Sequence, residues 1–296
     1  MSAALLDLAR ARTVLLDGAM GTELMARGLP RGLAPELWNV ERPDVVAEIH
    51  AAYFAAGADA VSTNSFGGTP VRLAAHGLEA RAYELNLAAA RLARGVAPPG
   101  RFVAGSMGPA GKFLKPQGPL TEEALAAAYA EQARGLADGG VDVFLVETQY
   151  DLREALIALR AAKGVAPLPV LVTLTFGVFP RGYFTVMGDG AAKAAAALER
   201  AGADAVGANC TLTSAEMAAC VAALRPATAL PLVAQANAGQ PVVRDDGSVV
   251  HAQPLEDYVR HIPGVVRAGA ALVGGCCGTN PDFIRAMARV IQEERT

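Results

Sequence analysis

Residues 141–176 read VDVFLVETQYDLREALIALRAAKGVAPLPVLVTLTF, and this stretch decides the fold. A short apolar run, VDVFLVETQ (141–149), is followed by DLREALIALRAAKG (151–164), in which apolar residues recur every three or four positions, and then by a second apolar run, PVLVTLTF (169–176). These patterns are typical of a strand, an amphipathic helix and a second strand. The stretch therefore predicts two parallel strands joined by a helix.

The same alternation continues along the whole chain and makes eight strand candidates. The other six are TVLLDGA (13–19), ADAVSTNSF (58–66), RFVAGSMG (101–108), ADAVGANC (203–210), LPLVAQANAG (230–239) and AALVGGCCG (270–278). Gly57, Gly140 and Gly202 each end a predicted helix just before a strand, where a left-handed glycine is a common terminus. Eight such units favour an α/β fold with a single closed (β/α)8 TIM barrel over an open doubly wound sheet. We expect residues 1–296 to form one barrel domain.

Composition excludes several classes of protein. The chain has 26 Lys and Arg against 29 Asp and Glu, a net charge of −3, which argues against binding nucleic acid or an anionic membrane by charge alone. Every apolar run is interrupted well before the roughly 18 residues that a membrane span needs. Asp7, Arg10 and Arg12 break the N-terminal stretch that could have formed a signal sequence, so we expect a cytoplasmic protein. Four cysteines are too few for a disulfide scaffold.

Barrel enzymes place their chemistry at the C-terminal ends of the strands. Polar or metal-binding residues end most of the predicted strands: Asp17, Asn64, Ser106, Glu147, Thr175, Cys210, Asn237 and the pair Cys276 and Cys277. Side chains of these types, all at the same end of the barrel, are hard to explain as core filling.

Three of the cysteines predict a metal site. Cys210 closes strand six and Cys276 and Cys277 close strand eight, so their thiolates can meet beside strand seven. Zn²⁺ favours tetrahedral sulfur ligation, and three protein ligands with an open fourth position are the catalytic pattern. We expect water or a weak protein ligand in that position without substrate. Cys220, inside a predicted helix, is expected to be structural.

A family resemblance follows from several motifs taken together. They are DGAMGTEL (17–24), IHAAYFAAGADAVSTNSF (49–66), VETQYD (146–151), GANC (207–210), ANAG (236–239) and VGGCCGT (273–279). In this order they resemble the zinc-dependent homocysteine S-methyltransferase domain, found in cobalamin-dependent methionine synthase and in enzymes that use betaine or S-methylmethionine. The resemblance implies a homocysteine-binding (β/α)8 barrel with Zn²⁺ on Cys210, Cys276 and Cys277. It also implies homocysteine as the methyl acceptor and methionine as the product.

The resemblance implies substrate contacts as well. Asp17 and Glu147 would receive the amino group of homocysteine, and we expect them roughly across the barrel from the cysteine strands. The turn of Asp17, Gly18, Ala19, Met20 and Gly21 would present backbone N–H groups to the substrate carboxylate. Asn237 would make a polar contact or support the metal site.

The methyl donor is less closely defined. TNSF (63–66) and GGCCGT (274–279) resemble the cobalamin-dependent branch, which implies a methylated corrinoid such as methylcobalamin. We expect no corrinoid-binding, folate-binding or activation module in this chain, so the corrinoid would be free or carried on a partner protein. A sulfonium or betaine-type donor is the alternative, with Trp38 and Phe66 as candidates to line the donor side. Betaine needs an aromatic environment, and only 5% of residues are aromatic.

Two interpretations from other classes are also considered. A barrel lyase or aldolase would need a lysine at a strand end for a Schiff base, and no predicted strand ends in lysine. A thiol-redox or zinc-storage protein could use Cys276 and Cys277, but it would not need Asp17 and Glu147 at the same mouth.

Overall fold

The computed structural model describes residues 4–243 and 249–293. The strands are β1 (Val14–Leu15), β2 (Ala60–Ser62), β3 (Phe102–Met107), β4 (Val143–Gln149), β5 (Val170–Leu174), β6 (Gly177–Phe179), β7 (Gly182–Phe184), β8 (Ala205–Thr213), β9 (Leu232–Asn237), β10 (Pro241–Val243), β11 (Val249–His251) and β12 (Ala270–Gly275). The helices are α1 (Ala4–Ala11), α2 (Met20–Ala26), α3 (Trp38–Glu41), α4 (Pro43–Ala55), α5 (Pro70–Leu73), α6 (Ala82–Val96), α7 (Glu122–Asp138), α8 (Leu152–Val165), α9 (Ala191–Arg200), α10 (Ser214–Leu224), α11 (Leu255–Val259), α12 (Ile262–Arg267) and α13 (Pro281–Glu293).

Eight strands form one parallel sheet in the order β1, β12, β9, β8, β5, β4, β3, β2. A parallel bridge between Leu16 and Ala60 brings β1 beside β2 and closes the sheet. All eight predicted strands are present, and the prediction of a (β/α)8 TIM barrel is confirmed. Two antiparallel hairpins, β6 with β7 and β10 with β11, follow the fifth and seventh barrel strands and were not predicted.

The barrel interior is filled by alternate residues of the strands. Leu145, Leu171 and Leu272 belong to a buried cluster that also contains Leu5 and Leu6 of α1. Helix α1 therefore covers the N-terminal end of the barrel with its apolar face. The neighbouring residues along each strand point outward and pack with the surrounding helices in a second, larger core.

Polar side chains cap the first turns of two of the helices, α10 and α7. Thr213, at the end of β8, caps α10 together with Glu216, and each side chain bonds to the other's backbone N–H. Thr121 accepts a hydrogen bond from the Ala124 N–H at the start of α7. Among the described residues, no helix combines the length and the apolar composition that a membrane crossing requires.

Three of the turns that lead from a helix into a barrel strand, here called aspartate corners, are built in the same way at the N-terminal end of the barrel. Gly57, Gly140 and Gly202 are left-handed, with φ of 108°, 91° and 91°, as predicted. The aspartate two residues after each glycine accepts a hydrogen bond of 2.7–3.0 Å from a backbone N–H of the preceding barrel strand. The three bonds run from the N–H groups of Leu15, Val103 and Val170 to Asp59, Asp142 and Asp204. Each aspartate also pairs with an arginine or lysine, so these corners hold strand register at the end away from the predicted chemistry.

Candidate functional site

Three cysteines meet at the C-terminal end of the barrel. The Sγ atoms of Cys210, Cys276 and Cys277 all lie within 4.8 Å of one another. Cys210 lies in β8, and the other two follow β12, with β9 between these strands as expected. Cys220 is buried in α10, outside this cluster, where burial raises the pKa of its thiol to about 12.

Cys210 sits where β8 departs from regular pairing. The register between β8 and β9 shifts between Asn209 and Thr213. Cys210 and Thr211 have φ of 60° and 50°, a left-handed conformation that costs energy for residues other than glycine. The Thr211 hydroxyl donates to the Phe176 carbonyl at 2.8 Å and so ties the irregular segment to the chain after β5. This departure from strand alternation brings the Cys210 thiol to the cluster.

The segment of Cys276 and Cys277 is closely packed from both sides. A Cβ on Gly275 would lie 2.3 Å from Thr279 Oγ1, and a Cβ on Gly278 would lie 2.2 Å from His251 Cβ. Gly278 is also left-handed, with φ of 83°. The Thr279 hydroxyl donates to the Cys276 carbonyl at 2.8 Å. Glycine is therefore required here by close approach. Thr279 belongs to the motif at 273–279, whereas His251 is a neighbour of the cysteine segment that the sequence motifs did not reveal.

The three thiols differ in acidity. Hydrogen bonds from the Cys276 and Cys277 thiols lower the pKa of Cys210 to about 3. The same bonds, together with repulsion from that thiolate, raise the pKa of Cys277 to about 12 and hold that of Cys276 well above its usual range. Cys210 is thus the most acidic of the three thiols, and a metal that binds all three as thiolates displaces protons from the cluster.

Asp17 lies at the end of β1 and is 1% exposed. Burial raises the pKa of its carboxyl to about 8, outweighing the hydrogen bonds from Ser62, and the nearby charge of Glu147 adds to the increase. The Gly275 N–H donates to the Asp17 carbonyl at 2.9 Å, so Asp17 stands beside the strand of Cys276. The expectation that Asp17 lies across the barrel from both cysteine strands is wrong, because closure of the barrel makes β1 and β12, the first and eighth barrel strands, neighbours.

Glu147 is the second carboxylate at this mouth. It lies near the end of β4, partly exposed, and accepts a short hydrogen bond from the Ser106 hydroxyl. Burial raises the pKa of Glu147 to about 7 against the effect of Ser106, and the Cys210 thiolate contributes to the increase. Because Glu147 also raises the pKa of Asp17, the two carboxylates share one region of the mouth. An ammonium group between them would favour the charged form of both.

The turn after β1 packs against the cysteine segment. A Cβ on Gly18 would lie 2.7 Å from Thr279 Oγ1, so only glycine fits there. The Ala19 N–H donates to the same oxygen at 3.2 Å, and the Tyr53 hydroxyl donates to the Ala19 carbonyl at 3.2 Å. The Ala19 N–H is therefore engaged by Thr279 in this structure, and its contact with a substrate stays a prediction. Met20 begins α2, and the first N–H groups of a helix have no acceptor within it.

Asn237 ends β9 between the two cysteine strands. It is 3% exposed, and its Oδ1 has no hydrogen-bond partner among the residues that the structure describes. A hydrogen bond from its amide helps to lower the pKa of Cys210. Asn237 therefore lies beside the thiols with an unused buried oxygen.

Two other polar or aromatic candidates have structural roles. The Asn64 amide donates to the Pro35 carbonyl at 2.8 Å and to Asn39 at 3.0 Å, which holds the loop before α3. Trp38 is 5% exposed within the core, so it does not line the donor side. Phe66 is partly exposed, and the Arg72 guanidinium lies 5.3 Å from the centre of its ring.

Comparison with known proteins agrees with this architecture. Residues 14–291 match the family model of homocysteine S-methyltransferase. Methionine synthases of Mycobacterium leprae and Mycobacterium tuberculosis are 37% and 36% identical over 97% of this chain, which spans only 25% of each of them. The metallated homocysteine methyltransferase MmuM of Escherichia coli has a TM-score of 0.79 at 29% identity, covering 98% of this chain and 100% of that one. Because the family match extends over nearly the whole barrel, the chain belongs to the homocysteine S-methyltransferase family and to the methyltransferase class.

Proposed function

We propose that residues 1–296 form a single homocysteine-binding barrel domain that transfers a methyl group to the thiol of homocysteine and yields methionine. Zn²⁺ would be held by Cys210, Cys276 and Cys277. The observation that carries this proposal is the convergence of three thiols within 4.8 Å at the same end of the barrel as Asp17 and Glu147.

The thiols fit a zinc ion. Tetrahedral Zn–S bonds of about 2.3 Å imply sulfur atoms about 3.8 Å apart, and Cys210 Sγ lies 3.9 Å from Cys277 Sγ. The unused oxygen of Asn237 supports a polar centre here, because a buried polar atom normally has a partner. Zn²⁺ on three thiolates supplies a Lewis acid that favours the thiolate form of a substrate thiol at neutral pH.

The protein's own groups orient the substrate. Asp17 and Glu147 bind the ammonium of homocysteine, and its positive charge stabilises both carboxylates in a site where burial otherwise favours their protonated forms. The N–H groups of Met20 and Gly21, which have no acceptor within α2, would bind the substrate carboxylate. Fixing the amino acid end of the substrate restricts its sulfur to a small range of positions, which favours in-line transfer of a methyl group.

For the donor we propose a methylated corrinoid, free or carried on a partner protein. The identity to the two methionine synthases, 37% and 36%, exceeds the 29% to MmuM. Arg72 also covers the face of Phe66, so a donor with a quaternary ammonium or sulfonium would meet a like charge where it needs an aromatic surface. A sulfonium or betaine-type donor is the alternative.

The test is methionine formation from homocysteine by the zinc-loaded protein, with methylcobalamin, S-methylmethionine or betaine carrying an isotopically labelled methyl group. We expect labelled methionine from methylcobalamin alone. Label transferred from S-methylmethionine or betaine alone would overturn the corrinoid as the proposed donor and would keep homocysteine as the acceptor. No transfer from any donor, with zinc bound, would overturn the function and favour a zinc or thiol-redox role.

A further inference from the structure

Asn209 is a buried amide that joins four strands at the mouth. It precedes Cys210 in β8 and is fully buried. Its side chain reaches Thr148 in β4, Thr173 in β5 and Cys276 after β12. No metal or substrate role is needed to explain its burial, but its partners include groups from both halves of the proposed site.

The orientation of this amide follows from its partners. The Thr148 backbone N–H can only donate, and it lies 2.8 Å from Asn209 Oδ1, which also accepts from the Thr173 hydroxyl at 2.8 Å. The NH₂ group therefore faces the other way and donates to Thr148 Oγ1 at 2.7 Å. Its nitrogen is also 3.5 Å from Glu147 Oε2 and 3.9 Å from Cys276 Sγ.

The amide bridges β4 and β8, which lie on either side of β5 and which both depart from regular pairing here. The register between β4 and β5 shifts between Val146 and Gln149, and Thr148 has a φ of 58°. Asn209 pairs with the backbone N–H and the hydroxyl of Thr148 at this irregularity. It also stands where β8 becomes irregular before Cys210. One side chain thus links the irregular segment that carries Glu147 to the irregular segment that carries Cys210.

This link limits the distance between the two ends of a bound substrate. From the two distances to the Asn209 nitrogen, Glu147 Oε2 and Cys276 Sγ are at most 7.4 Å apart. We propose that Asn209 is a positioning residue that fixes this span and thereby selects amino thiols of homocysteine length over cysteine, which is shorter by one methylene. The inference rests on the proposed function, because it assumes that Glu147 binds the ammonium and that the thiol reaches the metal.

The variants Asn209→Asp and Asn209→Ser test this role against a matched control, Thr173→Val. Asn209→Asp keeps the shape and the acceptor oxygen but turns an oxygen toward Glu147 and Cys276. In Asn209→Ser the side chain is too short to reach from β8 to Glu147 and Cys276. Thr173→Val removes one hydrogen bond to Asn209 Oδ1, yet the bond from Thr148 keeps the amide in place. For each protein, zinc content, thermal unfolding and the Kd of homocysteine and of cysteine are measured, the last by calorimetry on zinc-loaded protein.

We expect wild type and Thr173→Val to prefer homocysteine to a similar degree, within about twofold. Both Asn209 variants should bind zinc, with the cysteine-to-homocysteine Kd ratio reduced about tenfold, which is within the range by which a binding site discriminates one methylene group. An unchanged ratio in a folded Asn209 variant, or an equal loss in Thr173→Val, would overturn the inference. If one Asn209 variant fails to fold, the other decides. A wild type that binds no zinc or no homocysteine would overturn the proposed function itself.

Discussion

Ser62 holds the carboxylate of Asp17 by two hydrogen bonds, one from its backbone N–H at 2.7 Å and one from its hydroxyl at 3.1 Å. These bonds favour the charged carboxylate, yet burial prevails and the pKa of Asp17 is raised to about 8. The carboxylate is thus well oriented, and in the part of the chain that the structure describes it forms no ion pair. In the proposed function its positive partner is the ammonium of homocysteine.

The raised pKa of Asp17 predicts how stability changes with pH. In the unfolded chain this carboxyl has a pKa of about 3.9, so the folded protein keeps a proton that the unfolded chain releases. Its stabilising contribution is therefore full below about pH 4 and is lost as pH rises toward 8. Asn cannot lose a proton, so from pH 5.5 to 7.5 wild type should lose about 2 kcal/mol relative to Asp17→Asn. Urea unfolding at both pH values checks this, and parallel changes in the two proteins would contradict it.

Removing one cysteine of the cluster should abolish zinc binding. Cys210→Ala leaves two thiolates, so we expect loss of tight zinc binding and of methyl transfer, measured by metal analysis after dialysis and by methionine formation. Cys220→Ala is the matched control, because that thiol is buried outside the cluster. It should keep zinc and activity and lose on the order of 1 kcal/mol of stability. Stoichiometric zinc and activity in Cys210→Ala would refute the assignment.

Glu147→Gln tests the ammonium site. Losing a charge-assisted hydrogen bond in a poorly solvated site costs about 1.5 to 3 kcal/mol, so the KM for homocysteine should rise about tenfold or more. Zinc content should stay unchanged. The comparison thiol is 3-mercaptopropionate, which lacks an amino group, and its use should be little affected by the substitution. Unaltered homocysteine kinetics, or equal use of both thiols by wild type, would exclude this role.

Ser106→Ala should act through the acidity of Glu147. The Ser106 hydroxyl bonds to the carboxylate and lowers its pKa, so its removal should raise that pKa further above 7. Less Glu147 is then charged at pH 6.5, and the KM for homocysteine should rise there about fivefold, the equivalent of about 1 kcal/mol. At pH 8.5 the two proteins should be closer. A KM ratio that is independent of pH would show that Ser106 serves packing only.

The fold could be predicted because its signals are local. VDVFLVETQ (141–149) contains β4, and ADAVGANC (203–210) contains most of β8. Each pattern depends on residues within one element and on the need to bury its apolar face. The cysteine cluster could be predicted by the same reasoning. Strand order in a barrel places the ends of the sixth and eighth barrel strands, β8 and β12, on either side of the seventh, β9.

Contacts between distant segments could not be predicted in this way. Nothing beside Asn209 in the sequence indicates that Thr148 needs a partner, because that need arises only when β4 leaves its regular pairing. The occupied N–H of Ala19 depends likewise on Thr279, which is 260 positions away. The prediction that Asp17 lies across the barrel from the cysteines is wrong because the order of strands along the chain does not show that β1 pairs with β12.

The hydrogen bonds of Asp59, Asp142 and Asp204 lie at the N-terminal end of the barrel, whereas the acceptor site and the hairpins lie at the C-terminal end. These aspartates hold the register of three pairs of adjacent strands from the N-terminal end of the barrel. The hairpin of residues 177–184 can therefore change in length and sequence while the acceptor site at the strand ends keeps its geometry. A lineage built on such a barrel can acquire a new methyl donor by exchanging loops, and an engineer can graft loops for the same purpose.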